Sequence, residues 1–340
     1  MGKCLVIIIN GIKLGFTEKE VKNLLNLFTT KKLNVDEIMP DLKNYYNGYL
    51  FNENASERMF NSDMVLYYIS EYLENNEIPA ELIDTNIASD YSKMQKLFTL
   101  KNKERNYKIL EEILDGKLQK TSITREYSLA KEFTKDDFRS LLFYLGFLTI
   151  KGSVLNRVKL DIPNYVIKEL YFDFFADIIR KDTDYELDTA DIKDSIEKIA
   201  LDGEIDEFIK IIEKTLNKIS FRDYIKFDEK YIKLIMLSYL TLSKIYYVKS
   251  EYEIKNGYID ILLLIRGQLE LNYEALIEIK YIKKQDYEQF GEKIVEKRFN
   301  EAREQMMKYK QDEELANKEN LKKWIMIFAG GECVQVENIL

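Results

Sequence analysis

Histidine is absent from all 340 residues of the chain. That absence removes hydrolases built on an imidazole base, histidine-dependent nucleases and the usual zinc hydrolases. The two cysteines, Cys4 and Cys333, cannot build a zinc site without histidine partners. Nor can they make a disulfide framework, and a reducing compartment is expected. Acid–base or metal chemistry is left to carboxylates, lysine, tyrosine and the backbone, so a hard oxygen-ligated cation such as Mg²⁺ or Mn²⁺ becomes the default. Proline occurs only as Pro40, Pro79 and Pro163, and no Ser/Gly/Pro-rich linker divides the chain. None of the 13 glycines belongs to a G-x-x-x-x-G-K-[ST] loop, so ATP hydrolysis by this chain alone is not expected. No apolar run approaches the roughly 20 residues needed to span a bilayer. The apolar run Cys4–Ile9 behind Lys3 is too short for a signal peptide and lacks a small-residue cleavage site. It reads as a buried strand, and a cytoplasmic protein with no membrane contact is expected.

What is present is a large apolar share, 46%, enough for two or three domain cores. Charge is abundant but nearly balanced, 51 basic against 59 acidic residues, for a net of −8. A globally basic nucleic-acid binder is excluded, while a local basic groove on an acidic body is not. The acidic excess can sit on the helical body of the chain.

Changes of period mark three regions. In 1–125 the pattern is mainly helical. Thr17-Glu18-Lys19-Glu20 is a capping box opening a helix through Val21, Leu24, Leu25 and Phe28. A second helix starts near Ser62, and 90–117 carries further helical pattern broken at Gly116. In 126–185, Thr134-Lys135-Asp136-Asp137 caps a helix ending at Gly146. A strand over Phe147–Ile150, a turn at Lys151-Gly152-Ser153, a strand over Val158–Ile162 and a helix after Pro163-Asn164 follow. That order resembles a winged-helix unit, in which Lys151 and Arg157 are the basic residues near the turn. In 186–340 a helix through Ile205, Phe208, Ile209 and Ile212 precedes an apolar helix over Asp228–Leu242. Strands are expected at Lys244–Val248, Tyr258–Ile265 and Ala275–Ile282, a long charged helix over 286–311, and a last strand at Lys323–Ala329. The fold class is α/β, with a central mixed sheet in this last region.

One arrangement in that region carries chemistry. Gly257-Tyr258-Ile259-Asp260 enters the apolar run Ile261–Ile265, and the next strand reads Ala275-Leu276-Ile277-Glu278-Ile279-Lys280. Side chains alternate along a strand, so Glu278 and Lys280 share a face. A carboxylate and a lysine in so apolar a strand are costly if buried alone. With Asp260 beside Glu278, two carboxylates and a backbone carbonyl could hold a divalent cation. Lys280, one strand step away, could orient a water or stabilise charge on a phosphate.

Asp260 followed after a hairpin by Glu278-Ile279-Lys280 resembles the D…(D/E)-x-K signature of the PD-(D/E)XK nuclease superfamily. The run from Ser250 through Glu253, Gly257 and Asp260 to Glu278-Ile279-Lys280-Tyr281 is similar to bacterial members fused behind an AAA-ATPase-like domain. The resemblance implies a restriction-endonuclease-like fold and Mg²⁺- or Mn²⁺-dependent hydrolysis of a phosphodiester, most plausibly in DNA. It implies that Asp260, Glu278, Glu229 and the Ile279 carbonyl hold the metal, and that Lys280 assists the nucleophile. Glu229 matches the upstream helical glutamate of the family, and Gln305, with Tyr309 one turn later, matches a glutamine some members use. Upstream, Tyr45-Tyr46-Asn47-Gly48-Tyr49, Phe60-Asn61-Ser62-Asp63, Ile83-Asp84-Thr85-Asn86 and Leu141–Leu148 look like the helical end of the ATPase-like domain. The chain is thus expected to begin after that domain's nucleotide-binding half. It departs from the family in having Tyr258 where relatives often carry arginine.

Each of these residues also has a plainer reading. D…E-x-K matches arise often in a chain that is 32% charged. Glu253 reads equally as an exposed strand charge or as support behind the metal ligands, and Gln305 as a helix-surface glutamine. Lysines and arginines of the last helix alternate with glutamates as i, i+4 pairs on a solvated face. Lys283 and Lys284, beyond Lys280, form a cleaner basic cluster that could meet a phosphate backbone. Two rival functions stand beside a nuclease: a catalytically inactive module binding protein or DNA, and a partner subunit of an ATPase carried on another chain. A homo-oligomer is a further partner left open.

Overall fold

The computed structural model describes residues 15–28, 34–79, 81–84, 94–127, 132–182, 188–219, 228–254, 257–266, 269–309, 312, 315 and 318–339. The expected strand at Cys4–Ile9 and the pair Thr85-Asn86 lie outside them. Two compact units are formed, Met1–Phe174 and Phe175–Leu340.

In the first unit, α1 (Glu18–Asn26) opens with the full reciprocal cap, Thr17 and Glu20 each accepting from the other's backbone. Val21 and Leu25, one turn apart, are buried. Asn34 caps α2 (Val35–Tyr46), and Asn61 caps α3 (Ser62–Asn75), which stops at Asn76 in the left-handed region (φ 57). The helical pattern over 90–117 resolves into α4 (Met94–Phe98) and α5 (Lys103–Leu114), because Asn102 begins a new helix by accepting from Arg105 N–H. After β1 (Gln119–Thr121) comes α6 (Lys135–Tyr144), with the Thr134/Asp137 capping box in place.

The hairpin that follows differs from its sequence reading. β2 covers Thr149–Val154 and β3 covers Arg157–Asp161, so Lys151-Gly152-Ser153 is strand and the chain turns at Leu155-Asn156. Gly152 marks a slip of register between Ile150 and Gly152. A glycine inside a strand pattern signals a bulge as readily as a turn. Leu155 takes the turn with φ 53 and is 97% exposed. The small sheet has the order β1-β3-β2, and α7 (Tyr165–Asp182) follows, its Ile167 N–H held by Asn164 Oδ1. Phe98 lies in the core of this unit, 5.0 Å between ring centroids from both Phe138 and Phe174.

The second unit has two helices where sequence periodicity gave one. α8 (Thr189–Asp202) ends at Gly203 (φ 68), and α9 (Asp206–Ile219) follows. Asp228 caps α10 (Glu229–Leu240), almost wholly buried beyond its first turn. Five strands then form one sheet in chain order: β4 (Tyr246–Ile254), β5 (Gly257–Ile265), β6 (Glu274–Ile282), β7 (Leu321–Ala329) and β8 (Glu332–Asn338). All neighbours are antiparallel except β6 and β7, which are parallel. A parallel pair needs a long crossover, supplied by α11 (Lys284–Phe290) and α12 (Glu292–Tyr309). The single helix expected over 286–311 is broken at Gly291, whose φ of 55 and ψ of −135 no helix accommodates. Val295, Phe299, Ala302, Met306 and Tyr309 recur every three or four residues and pack with Leu262, Leu276, Ile325 and Ile327 of the sheet.

The acidic excess does not sit on the helical part. The first unit carries 24 basic and 25 acidic residues, and the second carries 27 and 34. Among the described residues no helix is long and apolar enough to cross a membrane.

Candidate active site

The central strand β6 is paired unequally on its two flanks. Against β7 it is paired along its whole length, from Glu274↔Leu321 to Ile282↔Ala329. Against β5 the ladder holds only Leu263↔Ala275, Leu262↔Leu276 and Ile261↔Ile277. The next pair in register would set Asp260 opposite Glu278, but there the two strands part. The N–H groups of Ile279 and Tyr281 therefore lose their strand partners, and a buried N–H without a partner is costly. Carboxylates take the missing places: Ile279 N–H donates to Asp260 Oδ2 at 3.0 Å, and Tyr281 N–H to Glu229 Oε2 at 3.3 Å. N–H and C=O of one strand residue point to the same flank, so the Ile279 carbonyl also faces this gap.

Glu278 is 2% exposed and saturated by neighbours. Its Oε1 accepts from Lys280 Nζ at 2.7 Å and its Oε2 from the Tyr309 hydroxyl at 3.0 Å. That hydroxyl also lies 2.7 Å from the Tyr258 carbonyl, so one proton serves two acceptors. Burial, and then repulsion from Asp260, push the Glu278 carboxyl up to about 7 against the pull of Lys280 and Tyr309. Burial also raises Glu229, with Asp260 adding to it and Lys280 opposing. Burial works against the charge on Lys280, but Glu278, Glu229 and Asp260 outweigh it and hold the ammonium above its ordinary value.

Asp260, Glu278, Lys280, Glu229 and Tyr309 are thus brought into one cluster. Gln305 lines an open cleft of about 410 Å³ together with Glu229, Lys280, Arg298, Glu301, Glu304 and Lys308. Its Oε1 is buried and has no hydrogen-bond partner. Glu253 is exposed, across the β4–β5 ladder from Tyr258. Lys283 and Lys284 are exposed where β6 gives way to α11. Lys233 went unnoticed in the sequence. Its side chain is 11% exposed, and its ammonium pairs with Glu251 and, at 3.3 Å, with Asp260 Oδ1. The available signal was a lysine inside the apolar run Ile232-Lys233-Leu234-Ile235, one turn after Glu229.

The donor chemistry suits a hard divalent cation, since every candidate ligand is a carboxylate or carbonyl oxygen. Four carboxylates (Glu229, Glu251, Asp260, Glu278) face two ammonium groups (Lys233, Lys280), a deficit of two charges that one such ion would cancel. Among the described residues no three ligating side chains converge on one point, because the carboxylates are turned onto the chain's own donors. No curated protein and no solved structure matches the chain. Residues 227–338 match the PD-(D/E)XK nuclease superfamily, whose members generally use divalent metals. The parted sheet and the helices α10 and α12 all lie within the segment that is similar to the PD-(D/E)XK nuclease superfamily.

Proposed function

We propose that this domain hydrolyses phosphodiester bonds in nucleic acid, DNA above all, with Mg²⁺ or Mn²⁺. The observation that carries the reading is the gap between β5 and β6, lined by Asp260, Glu278, Glu229 and Lys280. Asp260 and Glu278, with the Ile279 carbonyl and support from Glu229, would hold the cation. When bound, it would lower the pKa of a coordinated water and offset charge on the phosphate. Lys280 moves from Glu278 to orient the attacking water or to meet developing charge on the phosphate oxygens. Gln305 Oε1 accepts a hydrogen bond from that water or a substrate group, and Lys283, Lys284, Arg298 and Lys308 flank the path of the backbone. Asp260→Ala and Lys280→Ala should each abolish Mn²⁺-dependent cleavage of DNA while leaving the fold intact by circular dichroism. Full activity in either purified variant would end this reading.

One observation favours a second reading, a nuclease fold without catalysis: each carboxylate is already answered by the chain itself. Calorimetric titration with Mn²⁺ separates the two, since a scaffold takes up no ion that Asp260→Asn abolishes. For 126–185 the order α6, β2, β3, α7 supports a winged-helix reading, and loss of DNA binding in Lys151→Ala/Arg157→Ala tests a contact there.

A further inference from the structure

Lys233 stands between Ile232 and Leu234 on α10, both buried. Its charge is tolerable there only because Glu251 and Asp260 answer it. Two backbone irregularities meet at the same point. Glu251, in the interior of β4, is in the left-handed region with φ 49, a conformation that residues with a Cβ avoid. The β4–β5 ladder passes from Ser250↔Ile261 to Tyr252↔Ile259 and skips the pair Glu251/Asp260. Such strain persists only where its surroundings hold it. Here it coincides with the Glu251 carboxylate meeting the Lys233 ammonium.

Asp260 is consequently engaged at both oxygens, Oδ1 by Lys233 and Oδ2 by the Ile279 N–H. An ion entering at Asp260 has to compete with one of them. Ile279 is fixed in the central strand, whereas Lys233 already touches a second carboxylate whose side chain is 55% exposed. We propose that Lys233 is a positioning residue, an internal counter-ion of Asp260 that gives way to the divalent cation by moving onto Glu251. The proposal rests on reading Asp260 and Glu278 as the cation-holding pair. The move is short, because the ammonium keeps one partner throughout. Lys233 on Glu251 forms a neutral pair, which leaves Asp260, Glu278 and Glu229 against Lys280, a balance of two negative charges for the ion.

The test is calorimetric titration of the full chain with Mn²⁺ at pH 7.5, without substrate. Lys233→Met removes the competitor and should bind Mn²⁺ at least tenfold tighter. Glu251→Gln removes the second berth, keeps Lys233 on Asp260 and should weaken binding at least threefold. Lys233→Arg retains the charge and should stay near wild type, and adding Asp260→Asn to Lys233→Met should remove the gain. A merely structural lysine would weaken binding in Lys233→Met and leave Glu251→Gln unchanged, and either result overturns the proposal. Should Lys233→Met not fold, Glu251→Gln decides alone, and unchanged or tighter binding overturns it. If wild type binds through Asp260 but Lys233→Met is no tighter, only this inference falls. If neither binds, the cation reading falls with it.

Discussion

Breaking the Lys280–Glu278 pair should cost stability in a way that depends on pH. The two groups are 2.7 Å apart, with side chains 12% and 3% exposed, so solvent screens them little. At an effective dielectric of about 20 their attraction is about 6 kcal/mol, before the cost of removing both from water. Glu278 is pushed up to about 7, so at pH 5 it is largely protonated and the pair is weak, while at pH 8.5 it is ionised. Lys280→Met should therefore cost ~1 kcal/mol at pH 5 and ~3 kcal/mol at pH 8.5. In a Glu278→Gln background the cost should be ~1 kcal/mol at both values, a coupling of ~2 kcal/mol at high pH. Urea unfolding followed by the single tryptophan reads this directly, because Trp324 is buried in β7 and pairs with Ile277 of β6. Equal costs at the two pH values would refute the reasoning. The wild type's own stability moves the other way over the same pH window. A carboxyl raised from 4.5 to about 7 in the folded protein binds its proton more tightly there than in the unfolded chain. Its contribution is fully present below about 4.5 and is lost as pH rises through about 7, ~3 kcal/mol in all.

Three further outcomes are expected. Tyr309→Phe deletes the hydroxyl between Glu278 and the Tyr258 carbonyl and should cost ~1–2 kcal/mol in the same fluorescence assay. Leu155→Gly, at an exposed turn with φ 53, should leave the first unit as stable or up to ~1 kcal/mol more stable by calorimetry. Leu155→Val at the same position should lower its stability. Thr134→Ala removes one half of a reciprocal cap and should cost ~1 kcal/mol, seen as a lower melting temperature of the first unit.

Local chemistry was the part of the fold legible in the sequence. The Thr17 and Thr134 caps, the start of α10 at Asp228 and the apolar runs of β5, β6 and β7 each announce themselves within a few residues. β8 does not, because it is an edge strand whose Glu332–Asn338 side chains are largely in solvent. Gly152 and Gly291 show the ambiguity of glycine, which marks a bulge in one strand and breaks a long charged helix in the other case. In the site, Asp260, Glu278, Lys280 and Glu229 stood out as charges set against apolar neighbours. Lys233 and Glu251 did not, since their pairing depends on a helix packing across a strand 18 residues later and on one strained backbone angle. The sequence allowed Asp260 to stand beside Glu278, but it could not show that the β5–β6 ladder would end one pair earlier.

The parting of β5 from β6 also equips the protein with a gauge. The amides of Ile279 and Tyr281 are bonded to the carboxylates of Asp260 and Glu229 rather than to strand carbonyls. A substitution that removes either carboxylate frees its amide to exchange with deuterated solvent. Lys280 and Ile282 alternate with them and face β7, where pairing is continuous, so their amides should stay protected. Deuterium uptake at every second residue of one strand would then report whether these carboxylates are in place, with no substrate present.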